Sequence, residues 1–234
     1  MPKVLIPFEG KPMIQYLLDA VVASGVDTRP VIVTGHHADL VEQTLGSGYD
    51  YVRQESQLGT GHAVACAESM LRGRADQVMI LYGDHPFVRA SRIRELARTH
   101  EDGQCPFTLV TVTVDDFQEW RAPFADFSRI IRDADGRIIA DVQAKDATPE
   151  QLEIREVNPA LFCFNGPWLW TNLKKLNTQN AKSEYYLTDL VSIAIAQGAC
   201  ITSLSGDARE AMGLNTPEHL ELAHEIKNQK NFFM

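Results

Sequence analysis

From Lys11 to Asp84 the chain alternates helix-like and strand-like segments, and this alternation restricts the fold more than any other feature. "PMIQYLLDAVVASG" carries apolar residues at helical spacing and stops at Gly25, "PVIVTG" reads as a short buried strand, and "ADLVEQTLGSG" is again a helix ended by glycine. "YDYVRQ" follows as a strand, then a glycine turn, a helix from about Ala63 to Leu71, and the apolar run "QVMILYGD" that ends on an acid. Such a pattern predicts an α/β fold with a mainly parallel, mixed sheet covered by helices.

The middle of the chain changes character. "FTLVTVTVDD", "SRIIRD", "GRIIADVQAKDAT" and "EIREVNPALFCFNG" are extended segments separated by turn residues such as Asp135-Gly136, which predicts β-hairpins inserted in or extending the sheet. "PWLWTNLKKL" and "YYLTDLVSIAIAQG" return to helical spacing, "ACITSLSGD" is a late strand, and "TPEHLELAHEIKNQ" opens as a helix with Thr at the N-cap and Pro in the first turn. With 234 residues, 44% of them hydrophobic, one sizeable core is affordable. The expected organisation is one domain over residues 1–225, with 226–234 as a helix end and tail.

The formal net charge of −9 disfavours nucleic acid and anionic membrane surfaces as partners, so any phosphate site has to be built locally. No apolar run approaches the roughly 20 residues of a membrane helix, and the opening "MPKVLIPFEGKPM" lacks the pattern of a secretory signal. Cys66, Cys105, Cys163 and Cys200 stand apart, each in an apolar or strand-like setting that suits a small buried hydrophobe. The expectation is a soluble protein of the reducing cytoplasm.

Ligands of open α/β sheets bind outside the carboxyl ends of the strands. By that rule the turn at Gly59, Thr60 and Gly61 and the acid of "LYGDHP" face one crevice. Gly83 admits close approach and Asp84 offers a hard oxygen for Mg²⁺; the competing reading is a plain turn with Asp84 as a cap. "QLGTGHA" lacks the Lys-Ser/Thr of a Walker loop and the third glycine of a dinucleotide fingerprint, and without a ligand it reads as a tight turn N-capped by Thr60. His36, His37 and Asp39 in "GHHADL" have no third ligand at suitable spacing, while His62 and His85 adjoin real motifs as structural or pocket-lining residues.

In order along nearly the whole chain, "PKVL", "GKPM", "QLGTGHA", "LYGDHP", "KDAT", "EVN", "EYYLTD" and "GLNTPEHL" closely resemble the sugar-1-phosphate nucleotidyltransferases, and most of all the bacterial N-acetylglucosamine-1-phosphate uridylyltransferases. The resemblance implies a Rossmann-like nucleotidyltransferase fold. It also implies a reaction in which a sugar 1-phosphate attacks the α-phosphate of a nucleoside triphosphate, UTP by preference, giving a nucleotide sugar and pyrophosphate. Under it Gln54, Gly59 and Thr60 read the base, with Gly83 beside them, and Lys3 meets the phosphates. Asp84 and Asn215 hold Mg²⁺, and Ser128, Gln143, Asn158, Tyr186 and Thr188 form the sugar side, with Glu184, Lys145 and Asp146 adjacent. A non-catalytic nucleotide or nucleotide-sugar binding module is the alternative.

The sequence departs from that family in three places. A Leu-x-x-Gly-x-Gly-Thr-Arg-Met loop, which would cradle the leaving pyrophosphate, and the strand before it do not precede Pro2-Lys3, so a gap is expected in the middle of the sheet and slow turnover with it. In the sugar pocket the expected Tyr-Gly-Arg is Phe127-Ser128-Arg129, the expected glutamate is Gln143, and the expected Asn-Thr-Gly is Asn158-Pro159-Ala160. Nothing after Asn231 resembles the hexapeptide repeats of an acetyltransferase, and no acetyl transfer is expected.

Overall fold

The computed structural model describes residues 1–214 and 219–222. A short hairpin, β1 (Pro7–Phe8) and β2 (Lys11–Pro12), leads into α1 (Met13–Ser24), whose Met13, Ile14, Leu17, Leu18 and Val21 form the buried stripe expected from their spacing. Then come β3 (Val31–Thr34), α2 (Ala38–Leu45), β4 (Asp50–Arg53), α3 (Thr60–Cys66), α4 (Glu68–Leu71) and β5 (Gln77–Ile80). The single helix expected after the glycine turn is thus two, broken at Ala67, and it starts three residues early.

α5 (Ala90–Asp102) is a helix that the apolar pattern leaves unmarked, because only Ile93, Leu96 and His100 of it are buried. After β6 (Phe107–Thr113) the chain forms β7 (Ser128–Arg132), β8 (Ile138–Val142), α6 (Pro149–Leu152), β9 (Glu156–Asn158), β10 (Phe162–Asn165), α7 (Gly166–Leu173), α8 (Asp189–Ala196) and β11 (Thr202–Ser205). α8 begins later than its helical spacing suggests, since residues 184–188 are held by other contacts. Of the C-terminal helix only 219–222 lie among the described residues, and they are helical; the expected tail at 226–234 lies outside them.

The seven-stranded sheet has the order β5-β10-β6-β9-β7-β8, with β11 alongside β6. β10 is antiparallel to both β5 and β6, and β11 is parallel to β6, so β5, β6 and β11 run in one direction. The other ladders are antiparallel, because the hairpin segments between β6 and β10 join the sheet edge to edge. The mixed α/β architecture is as expected, but the expected mainly parallel pairing is corrected: among the described residues of this sheet only β6–β11 is a parallel ladder, because β10 and the hairpin segments enter between the parallel-running strands and pair antiparallel. β3 and β4 pair in parallel as a separate two-stranded sheet. Among the described residues no ladder joins β3 or β4 to β5.

Two apolar clusters flank the main sheet. One gathers Phe107, Phe162, Phe164, Leu169, Trp170, Leu187 and Leu190 under α7 and α8; the other packs α1 and α5 on the opposite face through Leu17, Val21, Ile93 and Leu96. Cys105 and Cys200 are disulfide-bonded, with Cα atoms 5.0 Å apart. This corrects the reading of four isolated cysteines: β6 and β11, whose pairing brings the two residues together, lie 95 residues apart in the chain, so no local spacing announces the bond. Cys66 and Cys163 are free.

Candidate active site

The glycine turn is occupied by the protein's own chain. Gly59 has φ +110°, and a Cβ on it would stand 2.7 Å from the Tyr185 carbonyl oxygen and 2.8 Å from the Tyr185 nitrogen. Bare backbone here lets residues 184–187 lie across the turn as a strap. Three hydrogen bonds hold it: Gly61 N–H donates to the Tyr185 carbonyl at 2.8 Å, Tyr185 N–H to the Leu58 carbonyl at 2.8 Å, and Leu187 N–H to the Thr60 hydroxyl at 3.0 Å. Thr60 therefore does not cap its own helix, whose N-cap is Gly59. Its hydroxyl anchors the strap instead.

Gln54 is buried at the end of β4, and its amide donates to the Gly59 carbonyl at 3.0 Å and faces His62 Nδ1 at 2.9 Å. The side-chain nitrogen is thereby spent on the turn, which leaves the carbonyl oxygen as the free hydrogen-bonding atom. The glycine turn, Gln54 and the strap form one unit built from segments more than a hundred residues apart in sequence.

Asp84 and Lys3 are brought together, with Lys3 Nζ donating to Asp84 Oδ2 at 2.7 Å. The other oxygen, Oδ1, is buried and has no hydrogen-bond partner among the described residues; His85 Nε2 stands 3.8 Å from it. Burial pushes the Asp84 carboxyl up, but His85 and the Lys3 ammonium offset this and hold it below the ordinary carboxylate range. His85 is buried and stacks on Phe127 with ring centroids 6.4 Å apart; burial keeps its imidazole less basic than usual. Gly83 leaves room for Ile14 and Val4 at 3.2 and 3.5 Å from where a Cβ would be, seating α1 beneath Asp84. The Leu214 N–H donates to the Asp84 carbonyl at 2.9 Å. Asn215 lies outside the described residues.

The residues expected on the sugar side also converge. Ser128 on β7 lies opposite Asn158 on β9, and Gln143 just beyond β8 donates to the Thr188 hydroxyl at 2.8 Å. A cavity of about 200 Å³ is lined by Asp141, Gln143, Asp146, Asn180, Tyr186 and Asp189, among others. Asp146 also accepts from the Ala181 N–H at 3.0 Å, while Lys145 beside it is exposed.

Asp141 is the residue that motif reasoning missed. Only 7% exposed, it accepts a 2.6 Å bond from the Asn158 amide at Oδ2, while Oδ1 is buried with no hydrogen bond reaching it among the described residues. Burial is the main cause that raises its pKa to about 7; the Ser128 hydroxyl and the Asn158 amide oppose the rise, and the charge of Asp189 adds to it. No local signal announced it: in "GRIIADV" plain alternation groups Asp141 with the exposed Ile139, and only the register shift at Ile139 in the β7–β8 ladder turns the carboxyl inward, where a charge is costly. Tyr82 links this side to Asp84. Burial, together with the charges of Asp84 and Asp141, outweighs a hydrogen bond with Thr60 and pushes its phenol to about 12.

Arg129 is structural. Its buried guanidinium donates to the carbonyls of Ala125 at 2.9 Å, Phe124 and Leu152 at 3.4 Å, and Phe127, tying down the turn before β7. His36 and His37 take part in no metal cluster, and no group of three His, Cys, Asp or Glu side chains among the described residues is placed to hold an ion on its own. Asp39 pairs with Arg53 at 2.6 Å instead. No helix among the described residues is long and apolar enough to cross a membrane.

Residues 1–179 match the family model described as the MobA-like NTP transferase domain. The chain is 40% identical over 225 residues to the bifunctional protein GlmU of Trichlorobacter lovleyi, covering 95% of this chain and 47% of that protein. It is 38% identical over 233 residues to the GlmU of Clostridium beijerinckii, covering 99% of this chain and 49% of the relative. It thus spans about half the length of the curated relatives it matches. A solved structure of UDP-glucose pyrophosphorylase complexed with UDP-glucose superposes with a TM-score of 0.74 at 16% identity, over 96% of this chain and 90% of the other, so the two share a fold. On the extent of the model match, the chain belongs to the MobA-like NTP transferase family.

Proposed function

We propose that this chain transfers a nucleotidyl group, uridylyl by preference, from a nucleoside triphosphate to a sugar 1-phosphate, releasing pyrophosphate. The observation that carries this reading is the docking of the 184–187 strap on the glycine turn: Leu187 N–H bonds the Thr60 hydroxyl, and the neighbouring Tyr186 lines the cavity together with Gln143. A nucleotide seated at the turn would have its sugar acceptor alongside. The relatives named GlmU and the fold shared with a UDP-glucose-binding enzyme support the same choice. Residues 1–225 act as one nucleotidyltransferase domain in this account, and its triphosphate substrate places the work in the cytoplasm.

In the reaction, a phosphate oxygen of the sugar 1-phosphate forms a bond to the α-phosphorus, and the bond from that phosphorus to the pyrophosphate oxygen breaks. Gln54 and Thr60 position the base, Gln143, Asn158, Tyr186 and Thr188 orient the sugar, and Lys3 meets phosphate charge. Most of the catalysis in such transfers is positioning and charge stabilisation. A Mg²⁺ ion suits the Asp84 carboxylate, whose Oδ1 is a buried hard oxygen with no hydrogen bond among the described residues; Asn215 is its second proposed ligand. When bound, the ion would neutralise phosphate charge.

One observation favours the binding-module alternative: Lys3 occupies Asp84 Oδ2, so a metal has to displace or share it. A pyrophosphate-release assay with Mg²⁺, UTP and a panel of sugar 1-phosphates separates the two. Release that requires both substrates supports transfer. If there is no release, while uridine nucleotides raise the melting temperature more than ATP or GTP do, the chain is a binder. Equal shifts with every nucleotide reject base reading at the turn.

A further inference from the structure

We propose that His62 is a positioning residue for base selection: it fixes the direction of the Gln54 amide, so that the site takes uracil and rejects cytosine. This rests on the reading of Gln54 as the side chain that meets the base, and names what sets its choice. A glutamine amide can face a ligand with its oxygen or its nitrogen, and the two ends ask for opposite partners. Here the neighbours decide. The Gly59 carbonyl, 3.0 Å from Gln54 Nε2, can only accept, so the nitrogen end points at the turn. His62 Nδ1 stands 2.9 Å from the same nitrogen and is therefore the lone-pair end of its ring.

The ring proton then sits on Nε2, which faces the Cys66 sulfur at 4.0 Å, a weak acceptor one turn further along α3. Cys66 thus supports the tautomer that serves Gln54. The two hydrogens of Gln54 Nε2 meet two acceptors, and the oxygen is left over. Gln54 is 8% exposed, yet Oε1 accepts no hydrogen bond among the described residues and is not sealed from solvent. A base with an N–H at the centre of its pairing edge, as uracil has at N3, completes that acceptor. Cytosine has a lone pair at N3 and would set two acceptors against each other. Without His62 the second N–H of Gln54 is free, and the amide can tilt on its Gly59 bond to offer that N–H to a lone pair. His62 therefore acts on base choice by removing this alternative. A histidine that only packs against the turn would change the affinity for both pyrimidines alike.

The test is calorimetric binding of UTP and CTP to the full chain, with no sugar phosphate present so that nothing turns over. The two nucleotides share charge and ring size and differ at the pairing edge. The wild type should bind UTP at least about tenfold more tightly than CTP. His62→Phe keeps the bulk of the ring without the acceptor, and the ratio should fall at least about fivefold. His62→Asn returns a side-chain oxygen near the place of Nδ1 and should bring the ratio back to within about twofold of the wild type. A ratio that a folded His62→Phe leaves unchanged, or that His62→Asn does not restore, overturns the proposal. The ring nitrogen NMR shifts of the wild-type protein keep the question decidable should the variants not fold: a proton on Nε2 with Nδ1 bare supports it, and a proton on Nδ1 sinks it. Equal UTP and CTP affinities in the wild type remove base reading at the turn and this proposal together, whereas a preference indifferent to His62 removes this proposal alone. Pyrophosphate release enters neither measurement, so loss of the transferase reading leaves the result intact.

Discussion

Replacing Gly59 by alanine tests whether the strap and the glycine turn form one unit. The substitution acts in two ways. At φ +110° and ψ 176° the backbone lies in a region reserved for glycine, which costs about 1–3 kcal/mol for any other residue. The new methyl group would also meet Tyr185 backbone atoms at 2.7 and 2.8 Å and Glu184 Cβ at 2.9 Å. None of these is the end of a flexible side chain, so the strap has to lift. Lifting it strains or breaks the bonds from Gly61, Tyr185 and Leu187, each worth about 1 kcal/mol. Together the expected loss is about 3–5 kcal/mol, a large part of a typical domain's stability.

Gly10→Ala supplies the control. Gly10 has φ +91° but nothing within 4 Å of its Cβ position, so it reports backbone strain without the clash. Gly61→Ala supplies the converse, an ordinary backbone whose new methyl group meets the Leu176 side chain and stands 3.1 Å from the Tyr185 carbonyl oxygen. Urea unfolding of the three variants should rank Gly59→Ala as the most destabilised, by at least about 1.5 kcal/mol beyond Gly10→Ala. A Gly59→Ala loss no greater than that of Gly10→Ala would refute the docking argument.

Asp84→Asn should cut Mg²⁺-dependent pyrophosphate release by orders of magnitude, since charge neutralisation by a metal is worth several kcal/mol. The half-exposed Lys3 partner means that stability should fall by less than about 1 kcal/mol, so near-wild-type turnover defeats the assignment. The pKa of Asp141 is raised by folding from an ordinary 3.8 to about 7, so the folded state holds a proton that the unfolded chain gives up. Its contribution to stability is therefore present near pH 4, declines as pH rises to about 7, and stays flat above. Asp141→Asn should match the wild type in urea unfolding at pH 4 and exceed it at pH 8 by up to about 4 kcal/mol; parallel pH curves would reject the buried-acid account. Alkylation of protein denatured without reductant should label Cys66 and Cys163 alone, and labelling of all four cysteines would show that Cys105 and Cys200 are not bonded.

Sequence resemblance reached most of the candidate site, and the structure shows why it stopped where it did. Lys3 and Asp84 were legible because each sits in a short collinear motif, and they meet at 2.7 Å. Asp141 belongs to no such motif. Its importance comes from a cavity that only the folded strands enclose, and from an oxygen whose missing partner appears only when every neighbour is in place. Arg129 shows the same limit from the other side, since it belongs to the segment matched to the sugar pocket, yet four backbone carbonyls occupy its guanidinium.

What the sequence determined by itself is what short-range periodicity and turn chemistry can encode. The stripe of Met13, Ile14, Leu17, Leu18 and Val21 specifies α1, and the apolar β3 and β5 specify buried strands, because burying those faces stabilises one local conformation over others. Tertiary structure decided what depends on segments distant in the chain. It delayed the start of α8 by pinning residues 184–187 on the glycine turn and Thr188 on Gln143, joined Cys105 to Cys200 beside the β6–β11 ladder, and set β3 and β4 apart from the main sheet. Local propensity differences amount to about 1 kcal/mol per residue or less. A few long-range hydrogen bonds and a packed backbone contact outweigh them, which is why the strap is visible only in the folded molecule.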